Sequence, residues 1–339
     1  MSQQRMTGEL LERLVSSYLA TSQPYYGFGW QGGEPTLMGV EFFRTVTRLQ
    51  TDYAHPGSVI VNAVQTNGTL ITDELADHWA EYRFLVGVSV DGPRPIHDHY
   101  RRDPQGRASH QSVMAGINRL RRAGVRQNAM VLVTDANVRQ PAKLYEYLVE
   151  HGLDCQQYIP CVEYGPSGDL LPYAVNADAW GDFLCGIFSR WYPRDVNRVS
   201  VRLFDELVAR LGGAREGMQC TLQPTCGGSV VVEHNGDVFP CDFQVARESQ
   251  LGNIIEQGWE ELLGSPRYLA FRARKGEFHP DCAACEFLDL CGADCVKYRG
   301  DQWRSSSTHR SVLCDGWRKF FNLAVPRLQE LGEGRSPWV

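Results

Sequence analysis

The chain has 339 residues, of which 43% are hydrophobic and 11% aromatic, so it has ample core-forming side chains and is not disordered. A net charge of −6, without a clustered basic face, argues against a nucleic-acid partner. No apolar run approaches the roughly 18 residues of a membrane span, and the polar N-terminal segment does not resemble a signal peptide. We therefore expect a cytoplasmic protein that binds neither membranes nor nucleic acid.

The first half of the chain alternates short apolar runs with amphipathic stretches. Strands are predicted at 25–30, 58–64, 84–90, 130–133 and 158–162, and helices at 40–53, 73–82, 113–123, 141–150 and 176–192. Such β-α repetition favours a parallel sheet with crossover helices, either a doubly wound sheet or part of a barrel. In both architectures, ligands bind at the carboxyl ends of the strands.

Polar segments follow four of the predicted strands and should therefore lie together at the carboxyl edge of the sheet, which we call the mouth. They are Gly32-Gly33-Glu34-Pro35, Gln65-Thr66-Asn67, Ser89-Val90-Asp91 and Val162-Glu163. The two glycines allow backbone to approach a ligand closely, and Glu34 adds negative charge suited to an ammonium group, although this motif alone is more often a turn. Arg101 is either part of a solvated basic face or a guanidinium that holds a carboxylate through two hydrogen bonds. His97 and His99 could form a pair of metal ligands, but a helix-capping role in a loop is the favoured interpretation.

The cysteines carry the most information. None of the eleven precedes Cys155, and eight lie in the patterns Cys220-x5-Cys226-x14-Cys241 and Cys282-x2-Cys285-x5-Cys291-x3-Cys295-x18-Cys314. Without an export signal these thiols should stay reduced, which favours metal ligation over disulfides. Eight thiols complete two four-thiolate sites, and both iron–sulfur clusters and structural zinc use such sites. Buried structural cysteines are not expected at this density, beside Gly and Asp turns.

A hairpin is predicted between Cys226 and Cys241. Two short β runs flank Asn235-Gly236, a strong signal for a two-residue turn. The hairpin would bring Cys226 and Cys241 together at its open end. Asp242 directly follows Cys241 and would then lie beside a metal cluster, although by itself it reads as an ordinary turn aspartate.

Together these motifs resemble the radical S-adenosylmethionine (SAM) enzymes that carry a SPASM domain. Within that superfamily the run Trp30-Gln31-Gly32-Gly33-Glu34-Pro35-Thr36-Leu37 and the pair Cys241-Asp242 are similar to the anaerobic sulfatase-maturating enzymes. The resemblance covers residues 1 to about 320. It implies an α/β fold with a partial (β/α)6 radical SAM-type barrel, lacking its first strand, over 1–214. A cysteine-rich SPASM domain with two auxiliary clusters over 215–320 and a C-terminal tail over 321–339 would follow.

The resemblance also implies roles for single residues. Gly32, Gly33 and Glu34 would bind the amino group of SAM, Ser89 and Arg101 its carboxylate and ribose end, and Val162 would pack near the adenine. Asp242 matches the proton acceptor of the family. One auxiliary [4Fe-4S] cluster would be held by Cys220, Cys226, Cys241 and Cys295. The second would be held by Cys282, Cys285, Cys291 and Cys314.

One part of the family pattern is missing. The SAM-cleaving cluster of the family is held by a Cys-x3-Cys-x2-Cys loop upstream of the Gly-Gly-Glu-Pro strand, whereas this sequence has no cysteine before Cys155. The spacing of Cys155, Cys161 and Cys185 does not substitute for that loop. We therefore expect a truncated chain that does not cleave SAM reductively as written.

The function implied by the resemblance is that of a radical SAM oxidoreductase. The parent protein would oxidise a Ser or Cys of a sulfatase to Cα-formylglycine, with the sulfatase polypeptide and an electron donor such as flavodoxin or ferredoxin as partners. One alternative is a SPASM-type modifier of a ribosomal peptide. A second alternative, suggested by the missing cysteines, is a non-catalytic iron–sulfur remnant.

Overall fold

The structure is a computed structural model, and it describes residues 4–214, 219–300 and 308–332. The helices are α1 (Gly8–Leu19), α2 (Gly39–Tyr53), α3 (Asp73–Glu81), α4 (Arg94–Tyr100), α5 (His110–Ala123), α6 (Pro141–Glu150), α7 (Ala177–Trp191), α8 (Arg202–Leu211), α9 (Trp259–Gly264), α10 (Pro266–Ala273), α11 (Pro280–Ala283), α12 (Leu288–Cys291) and α13 (Cys314–Gly332). The strands are β1 (Tyr25–Trp30), β2 (Val59–Thr66), β3 (Leu85–Ser89), β4 (Arg126–Val133), β5 (Cys155–Pro160), β6 (Ser200–Val201), β7 (Val231–Val232), β8 (Asp237–Phe239) and β9 (Gly252–Asn253).

The first six strands form a sheet in chain order, β1-β2-β3-β4-β5-β6. The described pairings β1–β2, β2–β3, β4–β5 and β5–β6 are all parallel, with Tyr25 opposite Val59 and Ala63 opposite Leu85. Parallel neighbours require crossover connections, which helices such as α2, α3 and α6 supply. The predicted α/β fold with a parallel sheet is confirmed. The two-residue strand β6 and the helices α1 and α8 were not predicted.

The chain divides into two compact units that do not follow its linear order. The first unit consists of the described residues up to Ser89 together with Ser109–Asn128 and Gly227–Phe271. The second consists of Val90–Ala108, the described parts of Ala129–Cys226, and those from Arg272 onward. Among the described residues, no helix combines the length and apolar character needed to cross a bilayer.

In the first unit, α1 packs on the small antiparallel sheet β7-β8-β9. Leu10 of the helix shares a buried apolar cluster with Val238, Ile254 and Leu262. The guanidinium Nε of Arg13 donates to the carbonyl oxygen of Ile254 at 3.0 Å. The hairpin region, although distant in sequence, is therefore part of the same core as the N-terminal helix.

The predicted hairpin is present, but its turn is one residue longer than predicted. The N–H of Glu233 donates to the carbonyl of Asp237 at 2.9 Å, and the N–H of Gly236 donates to the carbonyl of Glu233 at 2.9 Å. Three residues therefore lie between the paired Glu233 and Asp237. Gly236 has a φ of +89°, the left-handed conformation that ends a three-residue hairpin loop. The two-residue turn prediction was wrong because Asp237 pairs with Glu233 and His234 lies in the loop.

In the second unit, α7 and α13 cross at closely packed glycines. Asn176 caps α7 as predicted, since its side chain accepts the N–H of Ala179 at 3.0 Å. A Cβ added to Gly316 of α13 would lie 2.1 Å from the carbonyl oxygen of Ala177, and one added to Gly181 would lie 2.8 Å from the Cα of Gly316. Only glycine allows this approach. The crossing fixes the beginning of α13, which carries one of the clustered cysteines.

Candidate functional site

The loop after β1 is hydrogen bonded to the end of β2 through Glu34. Its carboxylate accepts the N–H of Thr36 at 3.0 Å and the hydroxyl of Thr66 at 2.6 Å. It also accepts the N–H of Asn67 at 2.8 Å. Two of the four predicted mouth segments therefore meet in the first unit. The charge of Glu34 is balanced by protein donors, which makes it a scaffold for this loop.

The glycines near this loop have different physical roles. Gly32 has a φ of +114°, which an L side chain rarely adopts, and a Cβ on Gly32 or Gly33 would meet no atom within 4 Å. Backbone there is accessible to a ligand. Gly68, by contrast, packs tightly, since a Cβ on Gly116 of α5 would lie 2.2 Å from the Gly68 carbonyl oxygen. The sequence motif indicated Gly68, whereas nothing in the sequence indicated its partner Gly116.

In the second unit, Arg101 faces a carboxylate of the protein itself. Its Nε lies 2.5 Å from Oδ2 of Asp91 and its Nη2 lies 3.3 Å from Oδ1. Asp91 Oδ1 also accepts the N–H of Leu132 at 2.9 Å. Asp91 therefore orients the guanidinium, which keeps 28% of its side-chain area exposed. The role of Arg101 in holding the SAM carboxylate stays a prediction.

The remaining mouth residues lie at strand ends as expected. Ser89 ends β3 and is buried, and Val162 follows β5 with 1% exposure. Its neighbour Glu163 pairs with Lys297, whose Nζ is 2.5 Å away. His97 lies within α4 and not in a loop, and its Nδ1 accepts the N–H of Asp91 at 3.3 Å. These contacts give His97 a structural role.

One predicted thiolate set lies entirely in the second unit. Cys282 and Cys285 flank the end of α11, Cys291 ends α12 and Cys314 begins α13. Burial raises the pKa of Cys314, and the Cys282 and Cys285 thiolates raise it further. Burial, the Asp294 carboxylate and the Cys314 thiolate raise the pKa of Cys291. The four thiols therefore lie within electrostatic reach of one another.

Three members of the other set also lie in the second unit. Burial raises the pKa of Cys295 to about 12, with further contributions from the Asp294 carboxylate and the Cys220 thiolate. Burial also raises the pKa of Cys226, with a contribution from Cys220. Ligation by a metal would have to displace the protons from these thiols, so binding is coupled to proton release.

The fourth predicted member, Cys241, lies in the first unit next to Asp242. Its thiol donates to Asp242 Oδ1 at 3.3 Å, and the same oxygen accepts the N–H of Phe243 at 3.1 Å. Asp242 begins a short 3₁₀ turn and is exposed. A carboxylate in this position can accept a proton from a group that approaches from solvent.

The thiol arrangement tests the choice between iron–sulfur clusters and zinc. None of the eleven cysteines, which all lie in the described ranges, forms a disulfide. In the described ranges, no three Cys, His, Asp or Glu side chains converge so as to hold one metal ion. Structural zinc needs four ligands within about 2.3 Å of a single ion, whereas a [4Fe-4S] cluster spreads four thiolates over four iron atoms. Each of the two sets offers four thiols, the number and type of ligand that a [4Fe-4S] cluster takes.

Comparison with known proteins identifies the family. Residues 2–148 match the radical SAM superfamily, and residues 223–286 match SPASM, an iron–sulfur cluster-binding domain. The serine-type anaerobic sulfatase-maturating enzyme of Bacteroides thetaiotaomicron is 36% identical over 340 residues, which cover 95% of this chain and 81% of that enzyme. The chain belongs to the anaerobic sulfatase-maturating enzymes.

Other sulfatase-maturating enzymes are similar over the same span. The cysteine-type enzyme of Clostridium perfringens is 33% identical over 327 residues, covering 95% of this chain and 88% of that enzyme. The structure of native anSMEcpe with bound AdoMet and Cp18Cys peptide matches with a TM-score of 0.92 and 33% identity, covering 97% and 92% of the two chains. The family prediction made from the sequence is confirmed. Membership implies [4Fe-4S] clusters and SAM as cofactors.

Three buried charged side chains of this family member were not indicated by the sequence. Lys275, Asp294 and Arg299 are 1%, 0% and 0% exposed, all in the second unit. Burial lowers the pKa of Lys275, and the Cys295 and Cys226 thiolates raise it. Of the three, only Asp294 had a possible signal, its place between Cys291 and Cys295.

Proposed function

We propose that the protein carrying this sequence matures sulfatases by oxidising a Ser or Cys side chain to Cα-formylglycine. Support comes chiefly from similarity of 33–36% identity over 95% of the chain to enzymes named for this activity, of serine type and of cysteine type. The contact between Cys241 and Asp242 adds to this, because it places a base beside a proposed cluster ligand. No observation specifically favours a ribosomal-peptide substrate.

We assign the site residues as follows. The two auxiliary clusters are held by Cys220, Cys226, Cys241 and Cys295 and by Cys282, Cys285, Cys291 and Cys314. The SAM-binding residues are Gly32, Gly33, Glu34, Ser89, Arg101 and Val162. The functional domains are 1–214 for the radical SAM part and 215–320 for the SPASM part, with a tail over 321–339.

The reaction removes two hydrogens from the target carbon and heteroatom, as two protons and two electrons in total. Bound SAM and its own cluster supply the radical that removes the Cβ hydrogen in this family. Asp242 takes the hydroxyl or thiol proton, a transfer that general-base catalysis accelerates by about 10²–10⁴-fold. The two four-thiolate sets would hold clusters able to take up the remaining electron, because full ligation by protein thiolates suits electron transfer. A serine then gives the aldehyde directly, and a cysteine gives a thioaldehyde that water converts to the aldehyde.

The partners and location follow from the same chemistry. The substrate is a sulfatase polypeptide, and the electron donor is a flavodoxin or ferredoxin. The location is cytoplasmic, because clustered cysteines that ligate clusters must stay reduced, as thiols do in that compartment.

Mass spectrometry of the target peptide tests this function. A form of the protein that carries a Cys-x3-Cys-x2-Cys loop upstream of this sequence is produced anaerobically with a sulfatase of serine type or of cysteine type, in cells without another maturation system. We expect conversion of the target residue to formylglycine, with loss of two hydrogens from serine, or with loss of two hydrogens and replacement of sulfur by oxygen in cysteine. An unmodified target, with both clusters loaded and SAM cleavage demonstrated, would contradict the sulfatase assignment.

A further inference from the structure

The second unit contains a group of charged side chains that water does not reach. Lys275 is 1% exposed, and Asp294 and Arg299 are 0% exposed. A buried charge is costly unless other charges or hydrogen bonds compensate it. The three residues lie among segments that carry both proposed thiolate sets, since Asp294 directly precedes Cys295. We therefore relate the burial of these three charges to the clusters more than to the general stability of the fold.

The ammonium group of Lys275 is directed to one thiolate set. Its Nζ donates to the carbonyl oxygens of Cys220 and Thr221, at 2.8 and 2.7 Å. The Asp294 carboxylate also raises the pKa of Lys275. The cysteines whose charges act most on Lys275 are Cys295, Cys226 and Cys220, all from the first set.

Arg299 holds the chain around Lys275 and the turn between the two sets. Its Nη2 donates to the carbonyl of Lys275 at 3.0 Å, and its Nε donates to the carbonyl of Ala293 at 3.0 Å. Ala293 and Asp294 have φ values of +56° and +61°, a conformation that non-glycine residues adopt at a cost. Arg299 therefore stabilises a strained turn and also fixes the backbone of Lys275.

Asp294 is fixed by three donors and acts on both sets. Its carboxylate accepts the N–H of Cys295 at 2.7 Å, the hydroxyl of Ser311 at 2.7 Å and the indole N–H of Trp317 at 2.8 Å. Its charge raises the pKa of Cys291 in one set and of Cys295 in the other. Lys275 also lowers the pKa of Cys291, but its hydrogen bonds go to the backbone at Cys220 of the first set.

We propose that Lys275 is the buried counter-cation of the cluster held by Cys220, Cys226, Cys241 and Cys295, and that it raises the reduction potential of this cluster above that of the other. The inference rests on the cluster assignment under the proposed function. Reduction by one electron adds one negative charge to a cluster, and a nearby cation in a dry, low-dielectric site stabilises the reduced form. At equilibrium, one electron taken from the substrate is therefore held mainly by this cluster.

Redox titration of the iron-loaded, anaerobic protein tests the role of Lys275, with visible absorbance and electron paramagnetic resonance as readouts. Lys275→Gln removes the charge but keeps a hydrogen-bond donor. We expect the equilibrium constant for reduction of one of the two clusters to fall at least tenfold. For a one-electron couple this lowers its midpoint potential by about 59 mV or more. Lys275→Arg keeps the charge and should stay near the native potential. Lys143→Gln, which removes an exposed cation from α6, is the matched control and should change neither potential.

Iron content decides the remaining outcomes. Loss of one cluster in Lys275→Gln but not in Lys275→Arg supports the need for a buried cation. Equal loss of a cluster in both variants shows that side-chain shape matters, and this overturns the inference. The inference is also overturned if both variants bind both clusters and keep the native potentials. A native protein that takes up no iron–sulfur cluster would instead contradict the proposed function itself.

Discussion

The carboxylate of Glu34 accepts the backbone N–H of Asn67 at 2.8 Å and so joins the loop after β1 to the end of β2. The same carboxylate accepts hydrogen bonds from Thr36 and Thr66. Charge-assisted hydrogen bonds of this kind are stronger than neutral ones. The acidic residue of the Gly-Gly-Glu-Pro motif therefore shapes the mouth of the first unit before any ligand binds.

Removal of this carboxylate should destabilise the protein without any cofactor present. Glu34→Ala leaves several donors unsatisfied, and we expect the free energy of unfolding to fall by about 2–3 kcal/mol. Denaturant unfolding of the metal-free protein measures this change. Glu41→Ala is the control, because 78% of the Glu41 side chain is exposed and surface changes stay within about 0.5 kcal/mol. Equal stability of the two variants would show that the Glu34 contacts contribute nothing.

The glycine crossing of α7 and α13 should control one cluster. Gly316→Ala places a Cβ 2.1 Å from the Ala177 carbonyl, which forces α13 away from α7 and moves Cys314. We expect a loss of about 1–3 kcal/mol in unfolding free energy and of up to half of the bound iron. Gly264→Ala in α9, where a Cβ meets no atom within 4 Å, should retain both iron and stability. Full iron content in Gly316→Ala would disprove this link.

Asp242 should affect the chemistry and not the metal content. Asp242→Asn keeps the size of the side chain but removes the proton acceptor, and we expect peptide oxidation to slow by about 10²–10⁴-fold. Rates come from mass spectrometry of the target peptide, with all variants made in a form that carries a Cys-x3-Cys-x2-Cys loop upstream of this sequence, and iron is counted in the same preparations. Asp52→Asn, an exposed change on α2, should have the native rate and native iron content. A native rate in Asp242→Asn would remove Asp242 from the mechanism.

Local patterns predicted much of the fold. The helix expected over 141–150 has those bounds, because Pro141 begins it and a regular apolar spacing continues to its end. The hairpin at Asn235-Gly236 was found from its turn residues, but its loop length depends on which residues pair across it. The strand β6 was missed because two residues carry no alternating pattern.

Contacts between distant segments could not be predicted from local pattern. Lys and Arg are usually exposed, so nothing in the sequence indicated that Lys275 and Arg299 are buried. The carbonyl acceptor of Lys275 in Cys220 is 55 residues away, and Thr66 lies 32 residues from Glu34. Cysteine spacing could indicate the ligands, whereas the charges around them depend on the folded chain.

Counting iron and acid-labile sulfide per chain, after strictly anaerobic purification and reconstitution, tests most directly whether the clustered cysteines hold two [4Fe-4S] clusters. The eight thiols predict about eight irons, with visible absorbance that dithionite bleaches. Cys291→Ala should remove up to about half of that iron, because it breaks one four-thiolate set and leaves the other intact. About two zinc ions per chain in a colourless protein, without iron, would contradict both the cluster assignment and the function that depends on it.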